Sequence, residues 1–175
     1  MVELQTNHGN IRIELDAANA PKSSENFLAY VRSGHFDGTV FHRVIDGFMI
    51  QGGGYTTDFK EKPTKPSIPI ESESSKKAGL SNVPGAVSMA RTSDPNSATA
   101  QFFINVANNA RLDFRSADPQ GYGYTVFGKV VDGMDVVNKI AKAQKGATGT
   151  VPPGINPGDV PSTQVVIKGA KVIGG

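Results

Sequence analysis

Residues Phe41 to Gly54 read Phe-His-Arg-Val-Ile-Asp-Gly-Phe-Met-Ile-Gln-Gly-Gly-Gly. A β-strand sends successive side chains to opposite faces, so Phe41, Arg43 and Ile45 fall on one side of a first short strand. Phe48, Met49 and Gln51, just past the turn Asp46-Gly47, add an aromatic ring, a thioether and an amide. An arginine in that setting stands among apolar bodies with a hydrogen-bonding partner in reach. Its chemistry is electrostatic: a guanidinium keeps its charge and holds its donors in a rigid fork. A strand arginine that points into solvent satisfies the same pattern, and the segment alone does not choose between the two.

Other chemistries find less support. His8, His35 and His42 are the only histidines, and none pair at the spacing of a metal site on a strand or helix, so ordinary hydrogen-bonded roles are expected. Cysteine is absent, which excludes disulfides and thiolate metal sites. Gly52-Gly53-Gly54 lacks the Lys and Ser or Thr of a phosphate-cradling loop, and no GxSxG elbow occurs, so these glycines read as shaping a turn. Glu71 and Glu73 lie in a charged loop and read as solvated carboxylates rather than an acid and base pair. Strand alternation sends Phe102 and Phe103 to opposite faces, with Phe102 assigned to the core.

The elements that must position these residues follow from periodicity. Val2 to Thr6 and Ile11 to Leu15 alternate apolar with polar around Asn7-His8-Gly9-Asn10, an opening hairpin. Pro21 can start a helix with Phe27, Leu28 and Val31 on one face and Gly34 as its C-cap. Thr39 to Val44 and Phe48 to Gln51 predict a second pair of strands. Ala86 to Ala90, Phe102 to Val106, Tyr124 to Val131 and Thr163 to Ile173 are further strands, rich in Val, Ile, Phe and Tyr. Met134 to Ala143 predicts a second helix, capped by Asp132 or Gly133. Residues 55 to 82, rich in Lys, Pro, Ser and Glu, and the Pro-Gly stretch 146 to 161 read as irregular loops. Short strands with two helices fit an antiparallel barrel or sandwich.

The 175 residues, 38% of them hydrophobic, suffice for one domain spanning 1 to 175 with its own core. The net charge of +2 is spread along the chain, and its longest basic cluster, Lys76-Lys77, reads as a solvated face, so no nucleic-acid partner is expected. No apolar stretch is long enough to span a bilayer. The opening Met1 to Gln5 shows no basic segment followed by an apolar run, which makes cytoplasm the default location and leaves a mature periplasmic form open. A monomer is expected.

Phe41 to Gly54 also resembles the cyclophilin family of prolyl isomerases, and the resemblance continues from Val2 to Ile173. Gly85-Ala86-Val87-Ser88-Met89-Ala90-Arg91, the run from Ser97 to Ile104 and the run from Val126 to Val137 carry it further. The resemblance implies a mainly β fold, a closed eight-stranded antiparallel barrel capped by two helices, with a groove for an extended Xaa-Pro peptide. It places the catalytic arginine on Arg43 and the proline pocket on Phe48, Met49, Phe103 and Leu112. Gln51 would orient the arginine, Gln101, Ala90 and Tyr124 would complete the groove, and the Arg91 backbone would pair with the peptide. Tyr124 stands where many eukaryotic members carry histidine, so the chain looks like a bacterial member. Arg111 departs from the tryptophan or phenylalanine associated with cyclosporin, and only weak binding of that inhibitor is expected. The implied reaction is cis-trans isomerisation of Xaa-Pro bonds in flexible or unfolded client proteins, assisting their folding with no covalent intermediate and no cofactor.

Overall fold

The computed structural model describes residues 1–147 and 149–173. The opening hairpin forms as its alternation predicts. Strands β1 (Val2–Thr6) and β2 (Gly9–Leu15) pair with Val2 opposite Ile13 and Leu4 opposite Ile11, and all four side chains are buried. Helix α1 (Pro21–Arg32) carries proline in its first turn and buries Phe27, Tyr30 and Val31. Gly34 N–H bonds to Val31 O and His35 N–H to Tyr30 O, a Schellman closure that the left-handed φ of Gly34 (74°) makes accessible.

Strands β3 (Thr39–Val40), β4 (Arg43–Ile45) and β5 (Met49–Gly52) come next, then helix α2 (Ser72–Lys77) and strands β6 (Ala86–Met89) and β7 (Phe102–Asn105). Strand β8 (Val126–Asp132), helix α3 (Met134–Ala141) and strand β9 (Val166–Val172) complete the chain. Gly133 opens α3 in a left-handed conformation (φ 93°), and a β-carbon there would collide with the carbonyl of Asn10. All paired strands run antiparallel in one sheet of order β3-β9-β1-β2-β8-β6-β7-β5-β4.

The two edges of this sheet, β3 and β4, are neighbours in sequence, separated by Phe41 and His42 alone. Two intervening residues span roughly 10 Å at most, so the sheet must curl until its edges nearly meet. The antiparallel β architecture stands as expected, but the count and the closure differ from a closed ring of eight. The predicted strand Thr39–Val44 breaks at Phe41, whose N–H bonds to Val165 O. One strand thereby becomes two on opposite edges, giving nine, and the ring is completed by the covalent chain rather than by a ladder. The break also moves Phe41: its ring packs edge-on to Phe102 in the core, 6.0 Å between centroids, and leaves the face of Arg43 and Ile45.

A third helix was not expected. α2 lies in the Lys, Pro and Ser rich excursion, and its sequence Ser-Glu-Ser-Ser-Lys-Lys has no apolar stripe to betray it. It is held by polar contacts: the buried Ser75 hydroxyl donates to Val126 O (2.7 Å) and Glu71 N–H donates to the Thr125 hydroxyl (3.1 Å). Glu71 also corrects the reading of a solvated carboxylate. It accepts from the N–H groups of Lys22 (3.1 Å) and Ser23 (2.7 Å), the open N-terminus of α1, where Ala20 supplies no side-chain cap. The core itself is aromatic: Phe27 on α1 meets the rings of Phe36, Phe102 and Phe127 at 5.1 to 5.3 Å.

Glu71→Ala is expected to lower stability by about 1 kcal/mol through loss of this cap, read as a shift of the urea midpoint with unchanged slope. Glu73→Ala, which loses only an exposed pair with Lys77, should shift it by no more than a few tenths.

Candidate active site

Register across β4, β5 and β7 builds the site. Arg43 pairs with Gln51 and Gln51 with Phe103, while Ile45 pairs with Met49 and Met49 with Asn105. These two rows share one face of the sheet, because cross-strand partners point the same way. The row between them, Val44, Ile50 and Ile104, points to the opposite face and is buried in the main core. Met49, Phe103 and Ala90 form a separate small apolar cluster, flanked by Ile45, Phe48, Leu112 and Tyr124.

Above that cluster opens a cavity of about 210 Å³. Met49 and Phe103 are buried at its floor, Phe48, Leu112 and Tyr124 are half-buried around it, and Arg43 stands exposed at its mouth. Phe103 and Tyr124 meet edge to face at 5.6 Å. Gln51, Ala90 and Arg91 complete the lining. Gln101 does not enter the cavity; it lines the clefts alongside and acts through Gln51. Gln51 Nε2 donates to Gln101 Oε1 at 2.9 Å, and Arg43 Nη1 reaches Gln51 Oε1 at a long 3.5 Å. Arg111 lies outside the cavity, with its guanidinium 5.0 Å from the centre of the Phe48 ring.

Gly52, which ends β5, and Gly54, just beyond it, serve close approach more than a turn. A β-carbon on Gly54 would lie 2.5 to 2.8 Å from the Gln101 side chain, and one on Gly52 would lie 2.8 Å from Val40 O. The missing side chain at Gly54 is what lets Gln101 lie against the backbone and hold Gln51. Arg91 is arranged differently again. Its backbone N–H and C=O bond to no other described part of the chain, whereas Ala90 N–H is spent on Gln101 O. Its side chain donates Nε and Nη2 to Gly123 O (3.0 and 2.7 Å) and lies 4.7 Å over the Tyr124 ring.

Behind the pocket walls runs a buried polar network that the sequence did not announce. Asn109 Nδ2 donates to Phe48 O and to Asn105 Oδ1, both at 2.8 Å; Asn105 Nδ2 donates to Asn82 Oδ1 at 3.0 Å. Asn82 in turn donates to Asp113, which also receives Lys76 Nζ (3.0 Å) and the Ser81 hydroxyl. Burial alone would raise the Asp113 carboxyl, but the hydrogen bonds from Ser81, Asn82 and Lys76 outweigh it and hold it below the usual carboxylate range. The Asn109 side-chain amide fixes Phe48 through its carbonyl, and the Asn109 backbone carbonyl accepts from Leu112 N–H, so two walls of the pocket hang on one residue. The only local hint was Asn105 ending an otherwise apolar strand; its partner Asn82 is 23 positions away.

His35 Nε2 donates to Gly53 O (3.0 Å), an ordinary hydrogen-bonded role. His42 departs from that expectation, since its Nδ1 is buried without a hydrogen-bond partner among the described residues. Burial first, and the charge of Arg43 second, push its imidazole down to about 4. The ring next to Arg43 is therefore neutral at physiological pH and adds no second charge beside the cavity.

The sequence model of the family described as cyclophilin type peptidyl-prolyl cis-trans isomerase matches residues 1–172. A peptidyl-prolyl cis-trans isomerase of Streptomyces antibioticus is 53% identical over 173 residues, covering 99% of this chain and 98% of its own. Peptidyl-prolyl cis-trans isomerase B of Escherichia coli (strain K12) is 48% identical over 172 residues, covering 98% and 99%. Among solved structures, a cyclophilin type isomerase of Cryptosporidium parvum, determined in the presence of the dipeptide Ala-Pro, superimposes with a TM-score of 0.72 at 27% identity and covers 99% of both chains.

The depressed His42 has a consequence for stability. Unfolded, the ring takes up a proton near pH 6.5; folded, it does so only near pH 4, so its contribution is complete above 6.5 and is lost as pH falls towards 4. The difference amounts to about 3 kcal/mol. Urea unfolding at stepped pH should show His42→Phe losing less stability than the unaltered chain across this window; parallel curves would remove the assignment.

Proposed function

Because the chain belongs to the cyclophilin-type peptidyl-prolyl cis-trans isomerases, we propose that Arg43 and the apolar cavity beside it are the active site of that reaction. The enzyme catalyses rotation about the peptide bond that precedes proline. That rotation breaks the resonance between nitrogen and carbonyl, a barrier of about 18 to 20 kcal/mol. In the twisted state the proline nitrogen becomes pyramidal and regains a lone pair. A donor fixed beside it stabilises the twisted state more than either planar isomer, and this is the condition for catalysis.

The observation that carries the reading is the juxtaposition of Arg43 with the Met49 and Phe103 floor in one cavity. The proline ring sits on that floor between Phe48 and Leu112, while Arg91 pairs through its free backbone with the extended peptide. Gln51, held by Gln101, steadies the guanidinium. Tyr124 and Ala90 close the groove at the far side of Phe103. The whole chain acts as one domain, and its substrates are flexible or unfolded proteins with exposed Xaa-Pro bonds.

Magnitudes divide the work between the two parts. Uncatalysed rotation takes about a hundred seconds, and an ordinary turnover of about 10 per second needs about a thousandfold, or about 4 kcal/mol. A charged hydrogen bond supplies about 1.5 to 3 kcal/mol. The remainder comes from holding the ring still, out of water, while the preceding carbonyl turns. No proton moves, so neither a nucleophile nor a cofactor is called for.

Arg43→Ala should lower kcat/KM for a short Xaa-Pro peptide by at least about tenfold in an NMR exchange assay, with the unfolding curve unchanged in shape. Equal turnover would remove Arg43 from the reaction. Cyclosporin should inhibit weakly, since the exposed Arg111 guanidinium covers Phe48 where a flat apolar ring would extend the contact surface. Arg111→Trp is expected to tighten inhibition by about tenfold or more, and nanomolar inhibition of the unaltered chain would contradict this.

A further inference from the structure

Beyond Leu112 and Tyr124 the proline cavity continues into a wider groove of about 610 Å³ that shares Arg91 with it and adds Arg111, Arg115 and Gln120. Arg91, Arg111 and Arg115 all line this groove, and among the described residues none of the three has a carboxylate within ion-pair distance. The two acidic residues flanking Arg115 are engaged elsewhere: Asp113 accepts from Lys76, Ser81 and Asn82, and Asp118 accepts from the Ser116 hydroxyl and from the N–H groups of Gln120 and Gly121. Asp113 makes no contact with Arg115 within ion-pair distance. Asp118 feels the charge of Arg115 without touching it.

The three cations are also held in place. Arg91 is fixed by Gly123 O and by the Tyr124 ring, Arg111 lies over Phe48, and Arg115 Nη2 donates to Gln120 O at 2.8 Å. Arg111 makes no hydrogen bond to the described chain. Side chains already ordered lose less entropy on binding a partner, and a guanidinium with free donors matches a carboxylate fork. On the opposite flank Glu61 and Arg91 together line the cleft beside Ala90 and Gln101, so the charges there offset. The uncompensated positive charge is therefore concentrated on the side of Arg111 and Arg115.

We propose that the arginine-lined groove is a subsite for an acidic residue of the substrate, so that Asp or Glu close to the proline, on one side of it, is preferred over Lys. This rests on the peptide occupying the cavity as proposed above. Exposed ion pairs are individually weak, and the preference expected at low salt is about three- to tenfold. The effect fades as the screening length falls below the contact range.

The test is a peptide series in which Glu, Gln or Lys occupies in turn the two positions before and the two after proline. kcat/KM is measured at about 0.02 M and about 0.5 M salt, where screening differs severalfold. Glu should exceed Lys by at least about threefold at positions on one side only, approach equality at high salt, and lose its advantage in Arg115→Glu, with the Gln peptides turned over as before. Equal rates for Glu and Lys at every position would overturn the subsite. So would a preference of the same size on both sides, which the net charge of +2 alone would produce. A preference that survives both Arg115→Glu and Arg111→Gln would overturn it too. Turnover of the Gln peptides reports on the isomerase itself, so its absence would count against the active-site reading as well, whereas its presence with no charge preference counts against the subsite alone.

Discussion

Strands β4, β5 and β7 face two ways at once, and a slip of one residue anywhere in their pairing would exchange the faces. Val44, Ile50 and Ile104 would then swing out of the core, and Arg43, Gln51 and Phe103 would be driven into it. Burying an arginine without a counter-ion and exposing three aliphatic side chains are both costly, so the hydrophobic core enforces the register that places the site. The register in turn sets a charged side chain level with an aromatic floor, with the strand of Gln51 between them. Everything proposed for the cavity follows from that row.

The floor is rigid for a second reason. Asn82, Asn105, Asn109 and Asp113 are almost completely buried and bonded to one another, and a network of this kind in a low-dielectric interior is stabilising only when each member is satisfied. It ties the loop that follows β7 to the segment that precedes β6, which is why Phe48 and Leu112 face each other across the cavity. The mouth is built otherwise. Arg43 and Arg91 reach it over an amide and an aromatic ring, Arg111 lies over Phe48 just outside, and all three keep contact with water, so the charges are oriented yet not desolvated. A dry floor under a wet, cationic rim suits a reaction that needs the ring immobilised and the rest of the peptide free to turn.

Much of this could be read from residue order alone, and the failures have definite causes. Alternation placed Phe102 and Phe103 on opposite sides correctly, because β7 is an unbroken ladder. The same rule misplaced Phe41, because the ladder ends at Val40 and no local signal marks the two-residue link that follows. Helix α2 and the cap formed by Glu71 were invisible for a related reason: both are made by contacts about 50 positions away, Glu71 with Ser23 and Ser75 with Val126, and polar residues carry no periodicity when their partners are remote. The Asn82 to Asp113 network escaped likewise. Gly54 looked like turn punctuation, whereas its role is defined by Gln101, which arrives from another strand connection. Local physics gave the elements and one face of the site; what steadies that face depends on contacts that only the folded chain creates.

The edges of the sheet are unusually short, two residues in β3 and three in β4, and the chain itself bridges them. An extended polypeptide in the proposed groove would offer unpaired N–H and C=O groups over its whole length, the sort of partner that elsewhere adds itself to an open sheet and seeds aggregation. Here it finds almost no rail to zip onto. The geometry that lets the barrel close without a ladder thus also leaves an extended chain lying there little to add itself to.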